Sequence, residues 1–287
     1  MNVVKLQGGL GNQMFQYAIA IETNKLIYLD FTFLDNQPEE SEYFTRRNFE
    51  LDIFPNLKWK RLKAFQRYFL FSNNIIFKSL RFLLKKDIII VKQIQNEIVK
   101  VPSRENLYFD GYFQSEFYFK YKRDLILKSF LFPKLDTENL KLQNQILSQT
   151  NSVSIHIRRG DYLKPDVKKY HGILPKDYYT NAINLITEKY LGAHFFVFSD
   201  DENYAKEQYG NLGNFTIIEG NSKYSWKDMA LMSFCKHHII ANSSFSWWGA
   251  WLSNARNSIK IAPEKWFNSE VAQFDIDIIK PLDWLKM

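Results

Sequence analysis

The chain has 287 residues, a length natural for two domains rather than one core. An apolar fraction of 46% excludes a disordered protein, and the lack of any apolar run of about 18 residues argues against a membrane-spanning helix. A net charge of +7 favours an anionic partner (a phosphorylated substrate, an acidic membrane surface or nucleic acid) without choosing among them. Aromatic side chains are abundant, with 25 Phe, 16 Tyr and 7 Trp. Most belong in cores, although ring faces also suit sugars. The single cysteine, Cys235, precludes an intrachain disulfide and fits a reducing cytosol. It falls in an apolar helical stretch and reads as core, not nucleophile. Residues 1–5 make no signal peptide, because the apolar run is short and glycines follow at once.

Residues 3–6 predict a short strand, Gln7-Gly8-Gly9-Leu10-Gly11-Asn12-Gln13 a glycine-rich turn, and 14–24 a helix with Phe15, Ala18, Ile19 and Glu22 at helical spacing. This is a Rossmann-like opening. As a dinucleotide fingerprint it is imperfect: Gly9-x-Gly11 is present, but Met14 fills the third glycine position, while residues 27–30 supply a second strand ending in Asp30. The alternative is that Gly9 and Gly11 let backbone N–H groups and Asn12 approach another ligand. Residues 36–56 are polar and irregular and predict a loop region over a cleft. Residues 58–86 are basic and aromatic, with Phe65, Phe69, Ile76, Leu80 and Leu83 at helical spacing. They predict one or two amphipathic helices. Their basic face reads first as a solvated surface and second as a membrane-surface face. Short strands are expected at 87–91, 97–101 and 106–113, and a helix at 118–127. Glu105-Asn106-Leu107-Tyr108-Phe109 resembles a protease-tag scar, but Asp110 follows and the segment is treated as native. The polar, weakly helical stretch 133–150 carries the expected boundary between domains 1–150 and 151–287.

The second half alternates cleanly. Strands are expected at 153–157, 195–199, 215–219, 238–241 and 258–262, with helices at 176–189, 202–209, 226–236 and 245–253 between them. Ser225-x-x-Asp228 resembles a capping box at the third helix. This alternation predicts an α/β domain with a parallel, doubly wound sheet.

Three polar clusters follow strands there, where ligands bind in open α/β sheets. Val153, Ile155 and Ile157 lie two apart and lead into Arg158-Arg159-Gly160-Asp161, with His156 among them. Two adjacent guanidiniums suit a dianionic ligand, since each is permanently charged and fork-shaped; the plainer role is pairing with surface carboxylates. Asp200 and Asp201 follow the second strand. Each can accept hydrogen bonds from a guanine edge or ribose diol, or cap the next helix. Asn242-Ser243-Ser244-Phe245 precedes a helix, and free N–H groups at its start form an anion site. Trp247, Trp248 and Trp251 read as core. No Walker loop or zinc pattern appears, and His237-His238 point to opposite faces of a strand and do not chelate together.

The stretches Gly8-Gly9-Leu10-Gly11-Asn12-Gln13-Met14-Phe15-Gln16-Tyr17-Ala18, His156-Ile157-Arg158-Arg159-Gly160-Asp161-Tyr162 and Asn242-Ser243-Ser244-Phe245-Ser246-Trp247-Trp248-Gly249-Ala250-Trp251-Leu252 resemble the α-1,2-fucosyltransferases of glycosyltransferase family eleven. Asp110-Gly111-Tyr112-Phe113-Gln114-Ser115-Glu116 and Phe198-Ser199-Asp200-Asp201 are similar to that family too. The matches run in order from residue 8 to about residue 252. The resemblance implies a GT-B architecture of two Rossmann-like domains facing across a cleft, GDP-fucose as donor, and a galactose-terminated oligosaccharide or glycolipid as acceptor. It implies inversion at the fucose anomeric carbon with no cofactor and no metal. Arg158 would hold the β-phosphate and the departing GDP. His156 and Asp200 would lie by the guanosine, and Ser243, Ser244 and Phe245 by the diphosphate. Asn12 would reach the reacting centre, and Asp161 is the candidate general base or an orienter of Arg158 or Arg159. Arg159, Asn242, Gly9 and Gly11 complete the expected donor set. The expected location is the cytoplasm, with the inner face of an anionic membrane as a candidate contact and no nucleic-acid partner. Another metal-independent sugar-nucleotide transferase, and a carbohydrate-binding protein without catalysis, are the competing readings.

Overall fold

The computed structural model describes residues 1–22, 26–94, 97–103, 106–268, 270 and 276–287. The end of the first expected helix (23–24) and Glu105 of the tag-like stretch lie outside the described residues. Two compact units emerge, one of residues 1–39 and 46–131, the other of 40–45 and 132–287. The boundary therefore falls near residue 131, not 150. The helix Thr137–Ser148 packs its Ile146 into the second unit's core with Phe196, Phe198 and Leu231, and Asn139 exchanges hydrogen bonds with Asn221. Its polar sequence hid this single buried stripe. Residues 40–45 join the second unit because Lys164 Nζ donates to Glu40 Oε1 at 2.6 Å and to the Ser41 and Phe44 carbonyls.

The first unit is a five-stranded parallel sheet of order β3-β2-β1-β5-β4, from β1 (Asn2–Lys5), β2 (Ile27–Asp30), β3 (Trp59–Arg61), β4 (Ile89–Lys92) and β5 (Leu107–Asp110). The chain turns after β1 at Gly8, whose φ of +76° suits glycine. A Cβ there would clash with the Asn12 side chain. The helix begins at Leu10, four residues earlier than expected, so Gly11, Asn12 and Gln13 form its first turn. Asn12 N and Gln13 N both donate to the Gly9 carbonyl. Residues 97–101 are not a strand. Their backbone is bound by side chains instead: Gln93 Nε2 donates to the Glu97 carbonyl and Val99 N to Tyr118 Oη. The expected helix 118–127 is two 3₁₀ turns followed by Arg123–Ser129.

The second unit is a six-stranded parallel sheet of order β11-β10-β9-β6-β7-β8. Its strands are β6 (Ser152–Ile157), β7 (His194–Ser199), β8 (Phe215–Ile218), β9 (His237–Ile239), β10 (Lys260–Ala262) and β11 (Leu285–Lys286). β6 is buried along its whole length. Buried parallel strands take apolar residues on both faces, as β7 does; β6 carries Val153, Ile155 and Ile157 on one face and Ser152, Ser154 and His156 on the other. One face packs Val153, Ile155 and Val197 on Tyr178, Ala182 and Ile186 of the helix Lys176–Lys189. The other packs Phe196 and Phe198 on Ala230 and Leu231 of the helix Trp226–Phe234. Cys235 follows that helix, fully buried, and burial pushes its thiol pKa up. The capping box at Ser225 is not formed: Ser225 is itself helical, and Asp228 accepts from Asn221 at 2.7 Å. Both units are thus the Rossmann-like α/β sheets expected. No helix of the described residues is long and apolar enough to cross a membrane.

Candidate active site

β9, β6 and β7 are neighbours and parallel, so their carboxyl ends share one edge of the second unit. All three expected polar clusters lie on that edge. Arg158 leaves β6 with its guanidinium between two carboxylates: Nη2 is 2.5 Å from Asp161 Oδ1 and Nη1 2.7 Å from Asp200 Oδ2. Burial opposes the Arg158 charge, but Asp200 and Asp161 outweigh it and raise its pKa. The Arg159 guanidinium pairs with Asp201 Oδ2 at 3.1 Å and lies 3.9 Å over the Tyr204 ring. Asp200 Oδ1 also accepts from the backbone N–H groups of Arg159 and Gly160, at 2.8 and 3.0 Å. Gly160 is required here, because a Cβ would stand 2.7 Å from Asp200 Oδ2.

The alternatives left open by the sequence resolve into shared duties. Asp201 does cap the helix Glu202–Tyr209, accepting from Tyr204 N, and also holds Arg159. Asp200 braces the arginine loop. Asp161 lies against Arg158 with a side chain only 9% exposed. Of its two expected roles, the geometry displays the orienting one.

The third cluster is tied to the first. Tyr162 Oη donates to the Asn242 carbonyl at 2.9 Å, and the His156 and Phe245 rings lie 5.7 Å apart. Ser243 Oγ caps the helix Ser244–Leu252, accepting from Phe245 N. Asn242 Nδ2 donates to the His171 and Trp266 carbonyls. Two buried polar atoms at this edge, His156 Nδ1 and Asn242 Oδ1, have no hydrogen-bond partner among the described residues. Burial, reinforced by the Arg158 charge, pushes the His156 imidazole down to about 3. It is therefore neutral near pH 7 and can hydrogen-bond to a ligand without adding charge. Trp247 and Trp248 are fully buried, and Trp247 stacks on Trp251 at 6.0 Å. They are core, as expected.

Gly9, Gly11 and Asn12 belong to the first unit. Asn12 Oδ1 accepts from Gln114 Nε2 at 2.6 Å, linking the β1 turn to the segment after β5. Gln13, fully buried, donates to the Gly8 and Asn48 carbonyls and accepts from Glu50 N. Asp30, the acid that a dinucleotide reading needs for ribose, is 2% exposed and already engaged by Thr32, Tyr108 and Arg67. Beyond the carboxyl ends of β2 and β3 lies a pocket of about 490 Å³ lined by Phe31, Phe49, Trp59, Arg46, Arg47 and Arg61. Sequence reasoning missed this pocket and the supporting roles of Tyr162, Tyr204 and Gln114. Tyr162 and Gln114 stood inside the family-like stretches without an assigned role, and the i, i+3 spacing of Asp201 and Tyr204 hinted at the third. Among the described residues, no group of three or more His, Cys, Asp or Glu side chains is placed to hold a metal ion.

The chain is 36% identical to the O-antigen biosynthesis glycosyltransferase WbnK of Escherichia coli, covering 91% of this chain and 93% of the relative. It is 34% identical to an alpha-1,2-colitosyltransferase of Escherichia coli, covering 93% of each. A shorter match, 30% identical, joins 35% of the chain to 28% of galactoside alpha-(1,2)-fucosyltransferase 1 of Homo sapiens. The model of glycosyl transferase family 11 matches residues 1–287, and the chain belongs to that family.

Proposed function

We propose that the protein moves L-fucose from GDP-fucose to the 2-hydroxyl of a terminal β-galactoside, with inversion, without a metal, and with release of GDP. The observation that carries this reading is the pair of guanidiniums fixed at the carboxyl end of β6 by Asp161, Asp200 and Asp201. In the reaction the bond from the fucose anomeric carbon to the β-phosphate oxygen breaks, and its electron pair stays on GDP. Positive charge grows on the sugar ring and negative charge on the diphosphate. Arg158 and Arg159 are preorganised where the negative charge grows, so they stabilise the transition state more than the ground state. The start of the helix Ser244–Leu252, with Ser243 and Ser244, adds the positive end of a helix dipole. His156 and Asp200 contact the guanosine, and the partnerless His156 Nδ1 supports a ligand there.

The acceptor hydroxyl attacks from the face opposite GDP, and its proton must leave. Asp161 is spent on orienting Arg158, so the proton passes to water on the attacking face, away from the departing diphosphate. Asn12, held by Gln114, positions reacting groups; Gly9 and Gly11 let the backbone of its turn approach them. The acceptor galactoside sits in the pocket of the first unit, where the aromatic faces of Trp59 and Phe49 suit the CH face of a sugar. A cytoplasmic location goes with this reading, and the buried, unbridged Cys235 accords with it.

The colitosyltransferase relative supports a second reading, in which the donor sugar is colitose, which lacks one hydroxyl that fucose has. Release of GDP is the decisive assay. GDP-fucose, GDP-colitose and GDP-mannose are each supplied in EDTA, with and without lactose or N-acetyllactosamine. Release from GDP-fucose stimulated by either acceptor is the expected result. Preference for GDP-colitose moves the assignment to the second reading. Loss of activity in EDTA, restored by a divalent ion, overturns metal independence.

A further inference from the structure

The helices Ala64–Phe71 and Ile75–Leu83 of the first unit are not placed as ordinary amphipathic helices. Such helices bury their apolar stripe and expose their charges. The first does so in part, seating Leu70, Phe69 and Phe71 against Val3 and Tyr108. The second is inverted. Its inward face carries Phe77, which packs edge-on against Tyr68 and Phe69, and Arg81. Arg81 is 7% exposed and donates to the Phe69 and Ser72 carbonyls. The stripe Ile76, Leu80 and Leu83, spaced i, i+4, i+7, faces outward, with Ile76 63% and Leu83 74% exposed. Phe65, Phe82 and Leu84 are also more than half exposed. Burying an arginine while exposing so much apolar surface costs stability in water, so the face calls for an apolar partner.

The charge around it identifies that partner. Between Asp52 and Asp87 the chain has nine Lys and Arg residues and no acidic residue. Lys63, Lys78, Lys85 and Lys86 are exposed on or next to these helices. Apolar side chains rimmed by cations, with Asp87 paired to Arg81 at 3.7 Å at the end of the segment, complement a bilayer with anionic headgroups: the side chains enter the acyl boundary and the long basic stems reach back to the phosphates. We propose that these two helices dock the protein on an anionic membrane surface. The inference is independent of the donor and acceptor assignments.

Sedimentation of the full chain with lipid vesicles tests it. Binding to vesicles containing phosphatidylglycerol is expected to exceed binding to pure phosphatidylcholine by at least about tenfold and to weaken as salt rises. The I76S/L80S/L83S variant and, separately, the K78E/K85E/K86E variant are expected to lose at least about tenfold of that binding. Circular dichroism melts matching those of the unaltered chain show that the variants are folded. Equal binding to both vesicle types, or binding that survives both sets of substitutions, overturns the proposal. So does a dimer in light scattering that I76S/L80S/L83S dissolves while no vesicle binding is seen, since the face then covers a second copy of the chain.

Discussion

Arg158 shows how much one residue's role depends on its neighbours. Its charge was evident from the sequence, as was its position at a strand end. What the fold adds is immobility: two carboxylates grip opposite nitrogens of one guanidinium, so its orientation is set before a ligand arrives. A preorganised charge pays no reorganisation cost at the transition state. Replacing Arg158 with Ala is therefore expected to lower turnover by at least about a hundredfold, measured as GDP release, with the circular dichroism spectrum retained. Arg158→Lys is expected to restore little, because an ammonium cannot span both carboxylates as the planar fork does. Near-normal turnover in Arg158→Ala would refute the role. The residues that hold the arginines were harder to foresee. Asp200 and Asp201 lie some forty positions away in sequence, and their pairing depends on β6 and β7 being neighbours in register.

At the scale of elements, capping residues gave mixed guidance. Ser243 is extended, precedes a helix, and accepts from Phe245 N. Ser243→Ala is expected to destabilise the protein by about 1 kcal/mol, read as a lower urea midpoint at unchanged slope. An unchanged midpoint would mean that the cap contributes nothing. Ser225 carries the fuller signature, Ser225-x-x-Asp228, yet it is helical and leaves Asp228 to Asn221. The difference lies outside the motif, in the 3₁₀ turn Ser222–Tyr224 that delivers the chain already coiled. Residues 97–101 show the same limit. Their composition suits a strand, but the Glu97 carbonyl and the Val99 N–H bond to the Gln93 and Tyr118 side chains and not to a sheet neighbour.

Across the whole molecule, buried titratable groups set the response to pH. Burial pushes His156 down to about 3 and His237 down to about 4, aided by nearby cations, and holds His238 well below its ordinary value. The unfolded chain protonates these imidazoles near pH 6.5. Below that pH it binds more protons than the native state, so stability falls as the solution is acidified towards pH 4. Asp228 acts in the opposite direction. Burial raises it to about 7, although Asn221 partly offsets this, so between its unfolded value and about 7 the native state keeps a proton the unfolded chain has lost. Three histidines outweigh one aspartate. Urea unfolding is expected to give lower stability at pH 5 than at pH 7, and Asp228→Asn is expected to widen the gap. Greater stability at pH 5 would contradict this account.

The sequence by itself determined the alternation of strands and helices in the second half, the three polar strand ends, and the family resemblance. Each is written locally: periodicity in β6 and β7, turn residues at their ends, and contiguous motifs. Only the tertiary structure decided what connects distant positions. It moved the unit boundary to residue 131, because a helix that looks polar contributes Ile146 to the second core. It turned the stripe on Ile75–Leu83 outward, because Arg81 finds backbone carbonyls inside. It brought Asp200 and Asp201 to the arginines, because parallel pairing aligns strand ends regardless of their separation in the chain. Periodicity tells which side chains share a face; only packing determines what that face meets.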